Sequence, residues 1–369
     1  MNELYEFTPN PPSREALLAE LDEAVGLSPK YLSAPKQGDR RSIDYCTLLY
    51  LEVAIQLPRG IDKWDPTLHP LVAVVCILRD QRQTPQERTW VGVIGDLLKE
   101  EDVIAIDPLA TVDHLSCESE LILALDRIFT QFDPTVVISW DASRRGIVFI
   151  AERARALGLP GAESMFHRVF VPPVPGPLGP STLYGRITLD LWQTLRQEDS
   201  LKLATTTLHG AAKQLLGLTL PRIPMWLLQE WWTDASCCID AFKYTVRLCT
   251  LGLQLLDASA LLSRASEMAS VLGMPDVEEV LTRGSQYRVE CILHRAASRT
   301  GFGLVSSSKA QVKAQPALEG VPMVLEPRSG YYRTPTIILD FQSLYPSIII
   351  AYNMCFSTCL GRVEHQDLT

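Results

Sequence analysis

Between residues 46 and 140 the chain carries a succession of short apolar runs rich in Val and Ile, and this texture restricts the fold more than any other feature. Residues 46–56, 71–79 and 89–95 are strand-length and bounded by polar or turn-forming stretches, so they read as strands of one sheet. Residues 103–106 read as a further strand. Residues 118–132 switch to a helical period, with Leu121, Leu125, Ile128 and Phe129 on one side. Residues 136–140 are strand-like again and 145–157 helical. Strands followed by alternating helix and strand predict a mixed α/β layered domain. Helical periodicity then dominates from Trp192 to about His294. Near the start, Ser13 precedes Leu17, Leu18, Leu21 and Val25 at helical spacing, which predicts a short capped helix.

A hydrophobic content of 47% is enough to bury sizeable cores, and 369 residues suggest two or three domains. No apolar run approaches about 18 residues, so no membrane span is expected. The first residues lack a basic segment followed by an apolar one, which argues against a secretory signal. Nine cysteines are scattered. Cys355 and Cys359, or the adjacent Cys237 and Cys238, would need further ligands nearby to hold zinc. Reduced thiols in an intracellular protein are therefore expected. The prolines of 171–180 mark a connection, and 300–330 reads as polar loop. The net charge of −9 has the wrong sign for a simple nucleic-acid binder. One stretch departs from it: Arg283, Arg288, His294, Arg295, Arg299, Lys309 and Lys313 stand against Glu290 alone, a solvated face or a phosphate contact.

The last unit opens with Thr336-Ile-Ile-Leu339, read as a buried strand, and runs through Asp340-Phe-Gln-Ser-Leu-Tyr-Pro-Ser347 into an expected helix at Ile348. A carboxylate just after an apolar strand sits where open α/β sheets bind ligands. Hard oxygen ligands suit Mg²⁺, and a turn entering a helix offers backbone N–H groups to phosphate. The segment 340–347, continued by Ile348-Ile-Ile-Ala-Tyr-Asn353, resembles motif A of family B DNA polymerases. With Cys355-Phe-Ser-Thr-Cys-Leu-Gly361 and Leu281-Thr-Arg-Gly-Ser-Gln-Tyr-Arg-Val-Glu290, the chain is similar to the zeta-type catalytic subunits of that family. The resemblance implies that Asp340 is a carboxylate ligand of the catalytic Mg²⁺ ions and that the Phe341 carbonyl is a further ligand. It implies that N–H groups around Ser343, Leu344 and Tyr345 hold the triphosphate of a dNTP, with Tyr345 also the steric gate against a ribose. Arg283 and Arg288 would lie near the template or the junction of two domains.

The resemblance also implies the fold: a ribonuclease H-like exonuclease domain, a mixed sheet with flanking helices, at 41–300, after a lead-in at 1–40. A linker and the start of a polymerase palm follow at 301–369. Nuclease chemistry there needs four acids in three motifs. In the first, Tyr50 stands where an Asp belongs and Glu52 remains. In the second, the run from Asp141 to Gly146, before Arg153 and Ala154, puts Gly146 at the acid. In the third, Tyr244 is kept and Leu248 replaces the acid. Two Mg²⁺ ions are not held by one carboxylate, so no exonuclease activity is expected. The family's second catalytic motif, Asp-Thr-Asp, and its fingers lysine pattern do not occur in these 369 residues. The chain by itself is therefore expected not to polymerise DNA, being a truncated or partial stretch of a longer polypeptide. Residues 300–369 are expected to pack poorly alone. The competing expectation is a binding module, a catalytically dead nuclease fold that holds DNA or a partner. The resemblance further implies a nuclear location, translesion synthesis, primer-template DNA as partner, and a HORMA-domain accessory subunit. Pro9, Pro11 and Pro12 only faintly echo that subunit's docking segments.

Overall fold

A computed structural model describes residues 13–16, 18–19, 46–57, 64–80, 87–169, 183–197, 201, 203–205, 207–274, 277–301, 303, 308–314 and 325–354. The chain divides into two compact units, residues 1–304 and 305–369.

The first unit is built on a six-stranded mixed sheet. Its strands are β1 (Thr47–Ile55), β2 (Leu71–Asp80), β3 (Glu87–Ile94), β4 (Thr111–Leu115), β5 (Val136–Ser139) and β6 (Ile187–Asp190), in the order β4-β3-β2-β1-β5-β6. β1, β2 and β3 form an antiparallel meander, whereas β4 runs parallel to β3, and β5 and β6 continue parallel to β1. Tyr50 pairs with Ile77 on one side and with Ile138 on the other.

Both faces of β1 are covered, which is why its sequence is almost uniformly apolar. Leu48, Tyr50 and Ala54 belong to one core with Ala241, Tyr244 and Leu255. Leu49, Leu51, Val53 and Ile55 belong to the other with Leu121, Leu125 and Phe149. The first of these helical layers includes the long helix Cys238–Ser259, and the second includes Glu118–Phe132 and Ile147–Ala156.

Charged side chains tie the layers together. Arg79 on β2 donates to Glu87 on β3 and, at 2.8 and 2.9 Å, to both oxygens of Asp257 near the end of the long helix. Arg153 forms a two-pronged pair with Glu118 at 2.8 Å and donates to the carbonyls of Pro66 and Thr67. Such a fork satisfies the guanidinium in plane and fixes two helices to one loop. Close to the N-terminus, Ser13 Oγ accepts from Ala16 N–H at 3.3 Å, and Arg14 reaches Asp240 at the start of the long helix. Leu17, Leu21 and Val25, expected on the same helix, lie outside the described residues, as do the prolines of 1–12 and 171–180.

The structure departs from the sequence expectations in four places. Residues 103–106 are not a strand but the end of a helix, Glu100–Ile106, whose first turn holds Glu100, Glu101 and Asp102. Acids at that end oppose the positive pole of the helix dipole, and only Val103 of the run is buried. The strand comes later, at β4, and β6 was not foreseen either. The helix expected over 145–157 is two, Ala142–Arg145 and Ile147–Ala156, broken at Gly146.

The fourth departure concerns the second unit. The buried strand expected at 336–339 is absent, and Ile337, Ile338 and Leu339 are at least 80% exposed. A strand needs a ladder partner, and the described residues of this unit supply none. The helix expected at Ile348 is present and begins earlier, at Leu344–Tyr352, with no residue buried. Among the described residues no single helix is long and apolar enough to cross a membrane.

Candidate functional site

β1, β5 and β6 run parallel; Ser139 and Asp190 end β5 and β6, and Glu52 lies on β1 two residues past its last pair with β5, Tyr50–Ile138. Glu52 lies two residues beyond Tyr50, on the same strand face, because side chains alternate along a strand. That face is opposed by the long helix, on which Tyr244, Leu248 and Gly252 recur every four residues and form one stripe. The structure therefore brings Tyr50, Glu52, Tyr244 and Leu248 together. Gly146 joins through Ser139, one residue past the Ile138 that pairs with Tyr50.

The cleft is filled from within. Tyr50 is fully buried, and its hydroxyl donates to Glu52 Oε1 at 3.3 Å. The ring lies so close to the long helix that a Cβ on Gly252 would stand 2.2 Å from Tyr50 Cε2 and Cζ. Gly252 thus has a packing reason to stand inside a continuous 22-residue helix. Gly146 is equally confined: a Cβ there would meet Ser139 Oγ at 2.2 Å and Ala142 Cα at 2.8 Å. Leu248 is half-buried and packs against the core on this side.

Polar groups around the cleft are mostly neutral or mutually compensated. Burial pushes the Glu52 carboxyl up to about 7, opposed by Arg145 and by the Tyr50 hydrogen bond, and reinforced by Asp141. Burial also pushes the Tyr50 hydroxyl well above its ordinary range, with the neighbouring Glu52 adding to it. Burial, with Arg222 adding to it, lowers His209 to about 4, so its ring is neutral at pH 7. His209 Nε2 lies 2.8 Å from the Tyr244 hydroxyl, which donates to Pro221 O at 3.1 Å and accepts from Ile223 N–H at 3.3 Å. Arg145 and His209 were not singled out from the sequence. A lone Arg after another Arg, and a lone His in a helix, carry no spacing signal.

Could this edge hold divalent metal? Among the described residues no group of three or more His, Cys, Asp or Glu side chains is placed to bind a metal ion. Ionisation of Glu52 is opposed by burial, and Arg145 already presents a cation to it, while Asp190 at the end of β6 accepts from the Gln193 N–H at 3.1 Å. The donor set does not fit a two-metal centre, which needs several hard oxygens to offset dehydration.

The second unit presents a different local geometry. Asp340 is exposed, and its Oδ1 accepts from the N–H of Phe341 at 2.9 Å. Ser343 adopts a left-handed conformation (φ 52°, ψ 53°) immediately before the helix Leu344–Tyr352, without a side-chain cap. Pro346 sits in the first turn, where a missing N–H costs nothing. The first-turn N–H groups of Leu344 and Tyr345 have no intrahelical acceptor and lie immediately after the Asp340 turn. Phe341 and Tyr345 are both exposed. One carboxylate of the right type is present, and among the described residues it belongs to no group of three or more possible metal ligands. Cys355 to Gly361 lie outside the described residues.

The basic stretch is partly spent on structure. Arg288 donates to Val280 O at 3.1 Å, and Arg295 donates to Val271 O at 2.8 Å near the end of the helix Leu261–Leu272. Arg283 stacks over Tyr287. Arg299, Lys309 and Lys313 remain exposed.

Residues 276–369 match a family model described as DNA polymerase family B. The chain is 33% identical to a DNA polymerase zeta catalytic subunit of Arabidopsis thaliana, over 86% of this chain and 19% of that protein. It is 34% identical to the Drosophila melanogaster DNA polymerase zeta catalytic subunit, over 94% of this chain and 17% of that protein. It is 28% identical to a Bos taurus DNA polymerase delta catalytic subunit, over 97% of this chain and 32% of that protein. The chain spans about a fifth or less of the zeta-type relatives it matches.

Proposed function

Because the chain belongs to DNA polymerase family B and is similar over most of its length to zeta-type catalytic subunits, we propose that it is a portion of a DNA-directed DNA polymerase used in translesion synthesis. Residues 41–300 are then an inactivated 3′–5′ exonuclease-like domain, and 301–369 a linker and the start of the palm. The meander β3-β2-β1 continued by parallel β5 and β6 supports a ribonuclease H-like core for the first.

The observation that carries the reading is the turn at Asp340. A carboxylate, a left-handed residue and a helix start with open N–H groups follow one another within five residues. This is what holding a metal-bound triphosphate demands. Asp340 and the Phe341 carbonyl are assigned to Mg²⁺, Ser343, Leu344 and Tyr345 to the dNTP triphosphate, and Tyr345 to exclusion of a 2′-hydroxyl. Mg²⁺, when bound, supplies charge neutralisation for nucleotidyl transfer and needs a second carboxylate. These 369 residues contain no Asp-Thr-Asp, so by themselves they do not polymerise. The partners are primer-template DNA, dNTP and, by family, a HORMA-domain subunit, in the nucleus.

The test joins these residues to a palm segment bearing Asp-Thr-Asp and measures primer extension. Extension abolished by Asp340→Asn supports the assignment, and extension indifferent to it overturns it. For the first domain, single-stranded DNA incubated with Mg²⁺ or Mn²⁺ releases no nucleotide. Degradation abolished by Glu52→Ala would show an active nuclease. A second reading, a dead nuclease fold kept to bind DNA or a partner, is favoured by the closed Tyr50–Gly252 cleft.

A further inference from the structure

β4 stands at one end of the sheet order, so it has a ladder partner on one side alone. Leu115 O accepts from Gly95 N–H at 2.9 Å, which turns the main chain of Leu115 toward β3. The N–H and C=O of one strand residue point the same way, and the direction alternates along the strand. Thr111, Asp113 and Leu115 therefore serve β3. The main-chain groups of Val112 and His114 point outward, and no described residue pairs with them. The His114 ring does not block this edge, because it is turned back with Nδ1 3.2 Å from Gly95 O.

A second observation says what fits there. Between β4 and the helix Glu118–Phe132 runs an open groove of about 360 Å³. That lies in the range of ligand clefts, roughly 300–1,000 Å³. Its helical wall is Ala124, Arg127, Ile128 and Gln131, which at i, i+3, i+4 and i+7 form one stripe. Ala124 is buried and Ile128 half-buried, so they make an apolar floor. Arg127 and Gln131 are exposed, and Arg127 makes no hydrogen bond or ion pair with any described residue. Asp113, the one acid among the described lining residues, is already held by the Trp90 Nε1–H at 3.0 Å. The cation that remains uncommitted calls for an anionic group on whatever enters the groove.

We propose that the open edge of β4 receives an extended segment of a partner protein as an added antiparallel strand, with an apolar side chain on Ala124 and Ile128 and a carboxylate against Arg127. Main-chain bonds to Val112 and His114 supply affinity, and alternate side chains supply selectivity. Side chains that share a strand face are two residues apart, so the segment reads apolar-x-acid. The two-residue connection from β4 makes the helix run back along the strand. Ala124 thus comes before Arg127 in the direction of an antiparallel strand, and the apolar residue precedes the acid. The net charge of −9 opposes a longer acidic run, so a single carboxylate is specified. The site lies three strands away from β1, and it depends neither on the Tyr50–Gly252 cleft nor on the polymerase reading.

The test is fluorescence anisotropy of the full chain with a labelled threonine nonapeptide carrying one valine and, two residues later, one glutamate. Wild type binds at low salt, and hydrogen exchange read by mass spectrometry slows over residues 111–115. His114→Pro removes an outward N–H and leaves the ladder to β3, a substitution that edge strands tolerate. It weakens binding about tenfold. Arg127→Glu weakens binding of this peptide about fivefold and tightens binding of its lysine-for-glutamate counterpart by a similar factor. A variant that merely unfolds cannot gain affinity, so this arm is independent of stability. The inference is overturned if wild type does not bind, if protection appears away from 111–115, if His114→Pro binds like wild type, or if Arg127→Glu shifts both peptides alike. A wild-type dimer in sedimentation that His114→Pro turns into a monomer would make the occupant a second copy of this chain and overturn the partner assignment. The polymerase reading is read separately, through Asp340 in primer extension.

Discussion

Substituting Gly252 by alanine pits two effects of opposite sign against each other. In an exposed helix interior the change would stabilise by about 1 kcal/mol, since glycine carries the larger conformational entropy cost. Here the added Cβ would lie 2.2 Å from Tyr50 Cε2 and Cζ and 2.4 Å from its hydroxyl oxygen. The ring has no accessible surface, and its strand is paired on both sides, so neither ring nor backbone has room to retreat. Overpacking of this kind costs about 1–3 kcal/mol, and a contact more than an ångström inside van der Waals distance belongs at the upper end. The expected net loss is about 2 kcal/mol. Urea unfolding of the full chain, followed by tryptophan fluorescence, should show a lower midpoint with the slope unchanged. The decisive comparison is the same substitution in a Tyr50→Ala background. With the ring gone, only the helix-propensity term remains, and Gly252→Ala should stabilise by about 1 kcal/mol. A stabilising effect with Tyr50 present, or an equal cost in both backgrounds, would refute the idea that the ring occupies the space Gly252 leaves.

Three further outcomes are expected. Gly146→Asp, which restores an acid at the second motif, should destabilise by about 1–3 kcal/mol, because its Cβ meets Ser139 Oγ and Ala142 Cα; it should confer no nuclease activity on single-stranded DNA, and metal-dependent cleavage by this variant would contradict the geometry. Glu52 is protonated more readily folded than unfolded, its carboxyl being raised from 4.5 to about 7 by burial. Its contribution to stability is therefore full below about pH 4.5 and is lost as pH rises through about 7, by about 3 kcal/mol at most. Glu52→Gln should flatten that part of the stability–pH curve and leave the protein more stable than wild type at pH 8; a variant with the same slope between pH 5 and 8 would disprove the assignment. Arg79→Met should cost about 1–3 kcal/mol by leaving the Glu87 and Asp257 carboxylates without their shared partner; adding Asp257→Asn should recover part of the loss, and additive losses would show that the bridge contributes nothing.

Much of the first unit was legible in one dimension. β1, β2 and β3 begin and end within two residues of the apolar runs that announced them, because strands covered on both faces read as continuous hydrophobic sequence. The helix Glu118–Phe132 was equally plain from its periodicity. Residues 103–106 misled because four apolar residues fit a strand or a helix turn alike, and the acids at 100–102 were the signal to weigh. β4 escaped notice as an edge strand with exposed and half-buried positions, so no apolar run marks it. At 336–339 the sequence has the composition of a strand, but a strand exists only through a partner, and this unit's described residues offer none.

By itself, then, the sequence determined the layered α/β class, the turn at Asp340 and the identity of the residues at Tyr50, Glu52, Gly146 and Leu248. What those positions do to one another was decided only in three dimensions. Tyr50 and Gly252 are two hundred residues apart, and nothing in either neighbourhood announces that a ring will lie against a helix backbone. Whether Glu52 is ionised depends on the burial and the guanidinium around it, which are properties of the packed cleft. Periodicity reports which face of an element is buried, but packing chooses its neighbour. That choice left Arg145 stacked on Trp64 at the end of the sheet.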